Sequence, residues 1–356
     1  MAHHRRHFFA YLHRSSKQPV AQDILPAGLF NTLVSDSGGT QSAQERRTDL
    51  PTAGECAVHL ELLEVFHALR TRIIQSKELD RVFGLHSSRL RNPRRSRESQ
   101  GTEKWHRFVS LAVERFQHWI RAAEKLLEQD DNDQTHILPP VDILMVWHAF
   151  LLNPLDYKNF GTSHQFHRTL EVPFPWGTIH NSINPTTWSY TLTSQNKQWL
   201  ESSANIPTDL FLSLTNTTQS TPPQPNRTPM TSTPTENDSL LHNVLRQTIF
   251  IDHMHTLMWI RSPDIEVIID DARESYDNFV ELFRLHPGVV LVPTLAIDLV
   301  WHTHLCSAAR YTTCMMERIG RFINHDDKLG KGTLDDGFER TKALFEKEFG
   351  GREGSI

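Results

Sequence analysis

The chain contains the same Trp-His segment twice, and this duplication limits the folds open to it more than any other feature. Pro139 and Pro293 are 154 residues apart, and the same offset separates Trp147-His148 from Trp301-His302. The other matched pairs are Ile143 and Ile297, Leu151 and Leu305, and Tyr157 and Tyr311. A motif repeated in register without a gap indicates two units with the same local structure.

Helical periodicity surrounds both copies of this segment. Apolar residues recur at three- and four-residue spacing over about 55–80 and 102–129 before the first copy, and over about 240–259 and 265–285 before the second. We therefore predict an all-α fold of two pseudo-repeated units packed together, each with the order helix–helix–Trp-His helix. A further helix is expected near 335–349.

Composition divides the predicted units from segments that bury too little apolar surface to fold. We predict a disordered N-terminal tail at 1–55, a first helical unit at 56–215, a disordered Thr/Pro-rich linker at 216–238 and a second helical unit at 239–350. The first unit has six more residues than the second between its second helix and its Trp-His helix. The acidic loop at 130–133 is the natural place for them.

Charge is distributed unevenly along the 356 residues. The formal net charge is −5, yet residues 1–100 hold 15 Lys and Arg against 10 Asp and Glu, so the remainder is acidic. An acidic body argues against nucleic acid as the partner of the core. RNA stays open as a partner of one predicted basic loop, which is alternatively a solvated loop; its cationic residues are Arg89, Arg91, Arg94, Arg95 and Arg97.

The cellular setting is indicated only indirectly. No apolar run approaches the roughly 18 residues needed to span a bilayer, so no membrane partner is expected. An odd, low cysteine count (Cys56, Cys306 and Cys314) is typical of a reducing compartment. We expect a cytoplasmic protein, with nuclear or mitochondrial targeting through the basic segments as alternatives.

Candidate chemistry centres on the second Trp-His segment. Asp298 and His302 are four residues apart and share a helix face, so the carboxylate can orient the imidazole. His302 and His304 are two residues apart and point to different sides, which argues against a shared metal ion. A two-His, one-carboxylate site of the non-haem iron type could be assembled from Asp298, His302 and His325, although nothing local requires it.

We consider two interpretations of these polar residues. Under the first, the Trp-His pairs are core residues whose imidazoles bind backbone groups or the other unit, and no cofactor is expected. Under the second, a polar pocket between the two Trp-His helices binds zinc, iron or a small molecule. The pocket candidates are His148, Tyr157, Asp298, His302, His304, Tyr311, His325 and Asp326.

The two segments resemble the DUF1399 family, also called the glycine-rich domain-containing protein-like family, and in particular its fungal members. The likeness is carried by Pro139 to His148, Val292 to Leu305, the turn Pro173-Phe174-Pro175-Trp176 and the segment Asn324 to Lys328. The resemblance implies a largely uncharacterised function, with plant relatives linked to development, stress response and RNA-binding partners. With 16 glycines, this sequence lacks the glycine-rich tail, and it lacks the Cys-rich segment often found in fungal relatives.

The functional prediction follows from these observations. No Gly-rich phosphate loop, Gly-x-Ser-x-Gly, Cys-x-x-Cys or His-Glu-x-x-His motif occurs. We therefore predict a non-enzymatic helical scaffold that binds a protein partner. The alternative is a metal-dependent enzyme or small-molecule-binding accessory protein of fungal metabolism.

Overall fold

Most of the chain folds into helices. The computed structural model describes residues 49–85, 93–129, 137–216, 234–328 and 330–350. These residues form 14 α-helices, one short 3-10 helix and one two-stranded hairpin, so the all-α prediction is confirmed. The predicted acidic loop, most of the predicted tail and most of the predicted linker lie outside the described residues.

The elements are numbered here in chain order. The first group is α1 (Ala53–Gln75), α2 (Lys77–Val82), α3 (Pro93–Gln129), α4 (Val141–Leu151), α5 (Pro154–His164), α6 (Arg168–Glu171), α7 (Trp176–Ser182), β1 (Ile183–Asn184), β2 (Ser189–Tyr190), α8 (Ser194–Ser202) and α9 (Leu210–Asn216). The second group is α10 (Pro234–Leu257), a 3-10 helix (Trp259–Arg261), α11 (Ile265–Leu285), α12 (Leu295–Leu305), α13 (Ala308–Ile319) and α14 (Lys331–Phe349). The antiparallel hairpin pairs Ile183 with Tyr190 and Asn184 with Ser189.

The first predicted helix is two helices. Thr52 and Glu55 form a reciprocal capping box, so α1 begins at Ala53. Ser76 ends α1 with an extended backbone, and its hydroxyl accepts a hydrogen bond from the Leu79 amide to begin α2. The apolar spacing continues across this break, which is why periodicity alone predicted one helix over 55–80.

The start of α3 corrects the sequence prediction. The basic segment was expected to be a loop, with the helix starting at about 102, yet the helix already begins at Pro93. Proline is tolerated in a first helical turn because its missing N–H would be unpaired there. Gly101 lies where α3 approaches α1, and a Cβ added to it would be 3.0 Å from Ile74 Cγ2. The glycine therefore permits a close crossing and does not break the helix.

Two other helix boundaries also differ from the sequence prediction. Helix α10 begins at Pro234, inside the predicted linker, and α14 begins at Lys331, before the predicted 335. The basic segment, for which RNA stayed open as a partner, is described only in part. Arg89 and Arg91 lie outside the described residues, and the other three arginines are on the first turns of α3, where only the backbone is described.

Helices α4 and α12 carry the two Trp-His motifs at the centre of the molecule. Each has 11 residues, and most of their side chains are buried. Pro140 precedes α4, whereas the Thr294 hydroxyl caps α12 by accepting from the Ile297 amide at 3.3 Å. The first motif's helix ends at Leu151, and Pro154 begins the next helix.

The helices of the two halves pack in a crossed arrangement. Helix α4 packs on α3 of its own half and on α10 of the other, while α12 packs on α11 and on α1. Arg70 strengthens this crossing by donating to both carboxylate oxygens of Asp252, at 2.7 and 2.9 Å. The buried faces of the Trp-His helices are thus completed by the opposite half of the chain.

Two further observations concern the cysteines and the hydropathy of the helices. Cys56, Cys306 and Cys314 are all buried free thiols. Within the described residues, no helix is both long and apolar enough to span a membrane.

Candidate metal centre

A hydrogen-bonded chain of Trp, Tyr and backbone is built in the same way in both copies of the motif. Trp301 Nε1 donates to the Tyr311 hydroxyl at 3.2 Å, and that hydroxyl donates to the Ile323 carbonyl at 2.8 Å. In the first copy, Trp147 Nε1 lies 3.4 Å from the Tyr157 hydroxyl, which donates to the Thr169 carbonyl at 3.2 Å. Both predicted tyrosines therefore bind the tryptophan of the motif and not its histidine.

In the second copy, these hydrogen bonds also position the side chain of His325. The Tyr311 hydroxyl anchors the backbone at Ile323, two residues before His325. His325 then returns over α12, where its ring packs edge-on against Trp301 with centroids 4.9 Å apart. Its Nδ1 atom donates to the Leu152 carbonyl at 2.8 Å, so His325 also bridges to the end of α4.

Asp298, His302 and His325 converge at this point. His302 Nε2 is 3.2 Å from His325 Nε2 and 3.2 Å from Asp298 Oδ1, and His325 Nε2 is 3.8 Å from the same oxygen. His302 is 2% exposed and His325 9%, so water is largely excluded. The side chain of Asp298 is 20% exposed and forms the solvent-facing side of the group.

The separations of these three atoms suit a metal ion. A point equidistant from atoms spaced 3.2, 3.2 and 3.8 Å apart lies about 2.0 Å from each, and moving it about 0.7 Å out of their plane gives ~2.1 Å. Zn–N and Zn–O bonds are about 2.0–2.2 Å long. An ion so placed has all three ligands on one side and keeps its opposite side for water or another ligand.

The hydrogen-bonding state of the three residues also fits a cation. Because His325 Nδ1–H donates to a carbonyl, the neutral ring presents the lone pair of Nε2 to the group, as metal-bound histidines do. Asp298 Oδ1 is buried and has no aligned hydrogen-bond partner within the described part of the chain. One His302 Nε2 proton cannot serve both the carboxylate and the His325 lone pair, whereas one cation would satisfy the Asp298 oxygen and both Nε2 atoms.

The electrostatics of the group favour an ionised carboxylate. Burial opposes ionisation of Asp298, but the adjacent rings of His302 and His325 hold its pKa below the usual range. Burial by itself would lower the pKa of His325, but the Asp298 carboxylate raises it above the ordinary value. A negative oxygen beside two imidazoles is the ligand set expected for zinc or iron.

A second pair of imidazoles lies beside this group. His59 Nε2 and His148 Nε2 are 2.8 Å apart, and His59 Nδ1 is 2.8 Å from the Thr303 hydroxyl oxygen. Burial, followed by the neighbouring imidazoles, lowers the pKa of both rings, that of His148 to about 3. Both rings are therefore neutral at physiological pH.

Sequence reasoning overlooked His59. Its position in α1 is fully buried among apolar neighbours, and it contacts residues that are 89 and 244 positions away in the chain. A histidine among the apolar residues of a helix otherwise read as core was the only available signal. The ring nitrogens of such a histidine usually form hydrogen bonds with nearby groups, so the spacing did not single it out.

The other predicted pocket residues lie elsewhere. His304 points away from His302, as the two-residue spacing predicted, and its Nδ1 atom is 2.9 Å from the Tyr276 hydroxyl. Asp326 is exposed, and its carboxylate accepts from the Lys328 amide at 3.0 Å. Of the eight candidates, Asp298, His302 and His325 form the compact group, and His148 is joined to the adjacent pair.

The first copy of the motif has no equivalent of this carboxylate group. At the offset of 154 residues, Leu144 stands where Asp298 does, and the exposed Glu171 stands where His325 does. Only His148 is shared with His302. The two copies therefore have a common packing scheme but different polar chemistry.

Comparisons with known proteins show which family this chain resembles. Residues 174–313 match the family model described as glycine-rich domain-containing protein-like. Glycine-rich domain-containing protein 2 of Arabidopsis thaliana is 29% identical over 247 residues, which cover 66% of this chain and 28% of that protein. Glycine-rich domain-containing protein 1 of the same plant is 25% identical over 245 residues, covering 66% and 27%.

These findings confirm the resemblance indicated by the Trp-His motifs. The chain spans just over a quarter of the length of the relatives it matches. No solved structure matches the sequence.

Proposed function

We propose that this chain, with its glycine-rich domain-containing protein-like region, binds a divalent transition-metal ion through Asp298, His302 and His325. The observation that carries the proposal is the triangle of ligand atoms, whose separations are compatible with three bonds of metal-ligand length. The donor set suits zinc or ferrous iron. Water or a further ligand would occupy the remaining coordination positions on the Asp298 side.

The protein's own residues prepare this binding. The Leu152 carbonyl holds His325 in the tautomer that can ligate through Nε2, and the Tyr311 anchor limits where the ring can lie. Because His302 is buried, the local dielectric constant is low, and this strengthens the attraction between the Asp298 carboxylate and a cation. The ion would in turn link α12 to the segment that touches the end of α4, and so hold the two halves together.

The test is metal analysis of the purified, tag-free protein after reconstitution with Zn²⁺ or, without oxygen, Fe²⁺. We expect tight binding by the unmodified chain and a large loss of affinity in His302→Ala and His325→Ala. Asp326→Asn is the matched control, because it removes the exposed carboxylate next to His325. Equal metal content in all four proteins, or none in the unmodified chain, would contradict the proposal.

We also propose that the helical body acts as a scaffold for a protein partner, with RNA as the alternative partner through the basic segment. Large apolar side chains on three different helices support a protein partner: Ile249 is 64% exposed, Val267 56% and Met316 50%. Affinity purification of the full chain, with and without chelator, tests this. Recovery of a partner only with metal would link the two proposals, and no reproducible partner would overturn the scaffold.

A further inference from the structure

Of the three proposed metal ligands, His325 alone lies outside a helix. Asp298 and His302 are held by α12, whereas His325 belongs to the irregular segment that connects α13 to α14. The Tyr311 hydroxyl fixes the backbone of this segment two residues before His325, at the Ile323 carbonyl. Groups that orient a metal ligand matter most where no helix does so. A second anchor after His325 would therefore define the position of its ring.

Asp327 provides such an anchor, two residues after His325. Its Oδ1 atom lies 3.0 Å from Arg246 Nε, and its Oδ2 atom accepts from Gln247 Nε2 at 3.4 Å. The Arg246 guanidinium is itself oriented by Asn243, to whose side-chain oxygen it donates at 2.5 Å. The segment that carries His325 is therefore attached to α10 by an ion pair and a hydrogen bond.

The charged neighbours of Asp327 face a different environment. Asp326 is exposed, and its carboxylate accepts from the Lys328 amide at 3.0 Å. Lys328 Nζ lies 3.1 Å from Asp156 Oδ2, and both of these side chains are about half exposed. Ion pairs this exposed contribute little to stability. The side chain of Asp327 is only 11% exposed, so its contact with α10 is better shielded from solvent.

The same face of α10 also contacts the other histidine of the triad. Phe250 lies one turn after Arg246 on this helix. Its ring packs edge-on against His302, with centroids 4.5 Å apart. One helix thus supports both imidazole ligands, His302 by direct packing and His325 through Asp327.

We propose that Asp327, paired with Arg246, is a positioning residue of the metal site, which holds His325 where its Nε2 atom can bind the ion. This inference rests on the proposed function, because His325 is the ligand that Asp327 positions. A partly exposed ion pair adds little to the stability of a fold. Removing a group that orients a metal ligand typically weakens metal binding by about 10–100-fold. The pair should therefore affect zinc affinity much more than folding.

The experiment is titration of the full chain with Zn²⁺ in competition with a chromophoric chelator, together with urea unfolding of each metal-free protein. We expect Asp327→Asn and Arg246→Gln each to weaken zinc binding by about 10–100-fold. The double variant should weaken it no further, because either change alone breaks the pair. Asp327→Glu keeps the charge and should recover most of the affinity. The urea midpoints of the metal-free proteins should stay close to that of the unmodified chain.

Asp326→Asn is the matched control, because it removes the same charge from the adjacent residue. It should bind zinc as tightly as the unmodified chain. If it costs as much affinity as Asp327→Asn, a general charge effect explains the loss and the inference is overturned.

The remaining outcomes separate this inference from the metal site itself. Zinc binding that is equal in the unmodified chain and in Asp327→Asn overturns the positioning role and leaves the site standing, as do losses that add in the double variant. No zinc binding by the unmodified chain overturns both proposals. Should Asp327→Asn fail to fold, Arg246→Gln decides instead, because it changes α10 and not the segment: weaker zinc binding supports the inference, and unchanged binding contradicts it.

Discussion

The buried imidazoles of this protein differ mainly in what holds their Nδ1 atoms. His59 is held by a threonine hydroxyl, His325 by a backbone carbonyl and His304 by a tyrosine hydroxyl. The carbonyl that holds His325 leaves its Nε2 atom as the lone-pair donor of the neutral ring. The same residue type therefore serves as a candidate metal ligand at His325 and as a buried polar packing residue at His59 and His304.

The hydroxyl groups of Tyr311 and Tyr157 form matching hydrogen bonds, but only Tyr311 is near the proposed metal ligands. Tyr311→Phe and Tyr157→Phe each remove a buried hydroxyl that bridges a Trp N–H to a carbonyl, so each should lower the free energy of unfolding by about 1–3 kcal/mol. Only Tyr311→Phe should also weaken zinc binding, because only its carbonyl partner, Ile323, lies close in the chain to a proposed ligand, His325. Urea unfolding and zinc titration of both variants measure this. Equal zinc affinity in the two variants would contradict the anchoring role.

The neutral imidazoles predict a pH dependence of stability. Burial, and after it His302, lowers the pKa of His148 from 6.5 to about 3 in the folded protein. Below pH 6.5 the unfolded chain binds this proton more readily, so the free energy of unfolding should fall as pH drops toward 3. One such histidine contributes up to about 1.4 kcal/mol per pH unit.

Urea unfolding of the metal-free protein between pH 7 and 5 checks this dependence. This pH range lies above the ordinary pKa values of Asp and Glu. His148→Gln should have a shallower slope than the unmodified chain, because it has no imidazole to protonate. Identical slopes would show that His148 keeps an ordinary pKa.

At the scale of the helices, close crossings depend on glycine. Helix α14 packs with Gly337 against the segment before α12, where an added Cβ would lie 2.6 Å from Val292 Cγ2. The neighbouring Thr341 hydroxyl donates to the Gly337 carbonyl and accepts from the Val292 amide. This crossing fixes the backbone that leads into the second Trp-His helix.

Substitution at this crossing should be costly. Gly337→Ala should lower the free energy of unfolding by about 1–3 kcal/mol, because Val292 has little freedom to move away. Gly332→Ala on the same helix meets nothing within 4 Å and should be neutral or slightly stabilising. Thermal unfolding of both variants gives the comparison. Similar melting temperatures would show that α14 shifts to accept the methyl group.

At the scale of the whole molecule, the crossed packing makes each half depend on the other. Helix α10 covers α4, and α1 covers α12, so neither Trp-His helix is buried by its own half alone. A salt bridge from Arg310 to Glu55, at 2.9 Å, also joins the second half to the start of α1. The polar groups at the centre come from both halves.

Separated halves should therefore fail to fold. Residues 49–216 and 234–350, produced individually, should show little cooperative unfolding, because each exposes the apolar face that the other normally covers. Co-expression should restore a complex with the helicity of the full chain. Circular dichroism and calorimetry measure both. A half that melts cooperatively by itself near the melting temperature of the full chain would contradict this interdependence.

The sequence by itself determined the all-helical class, most of the long helices, the family resemblance and the relation of the two Trp-His segments, because these depend on local spacing and on a motif matched at a constant offset. It also named Asp298, His302 and His325, and it separated His302 from His304, because helical geometry fixes which residues share a face. The tertiary structure alone decided that these three side chains meet and that His59 joins His148. Those contacts depend on how a returning loop and a helix from the other half pack, which no local spacing encodes.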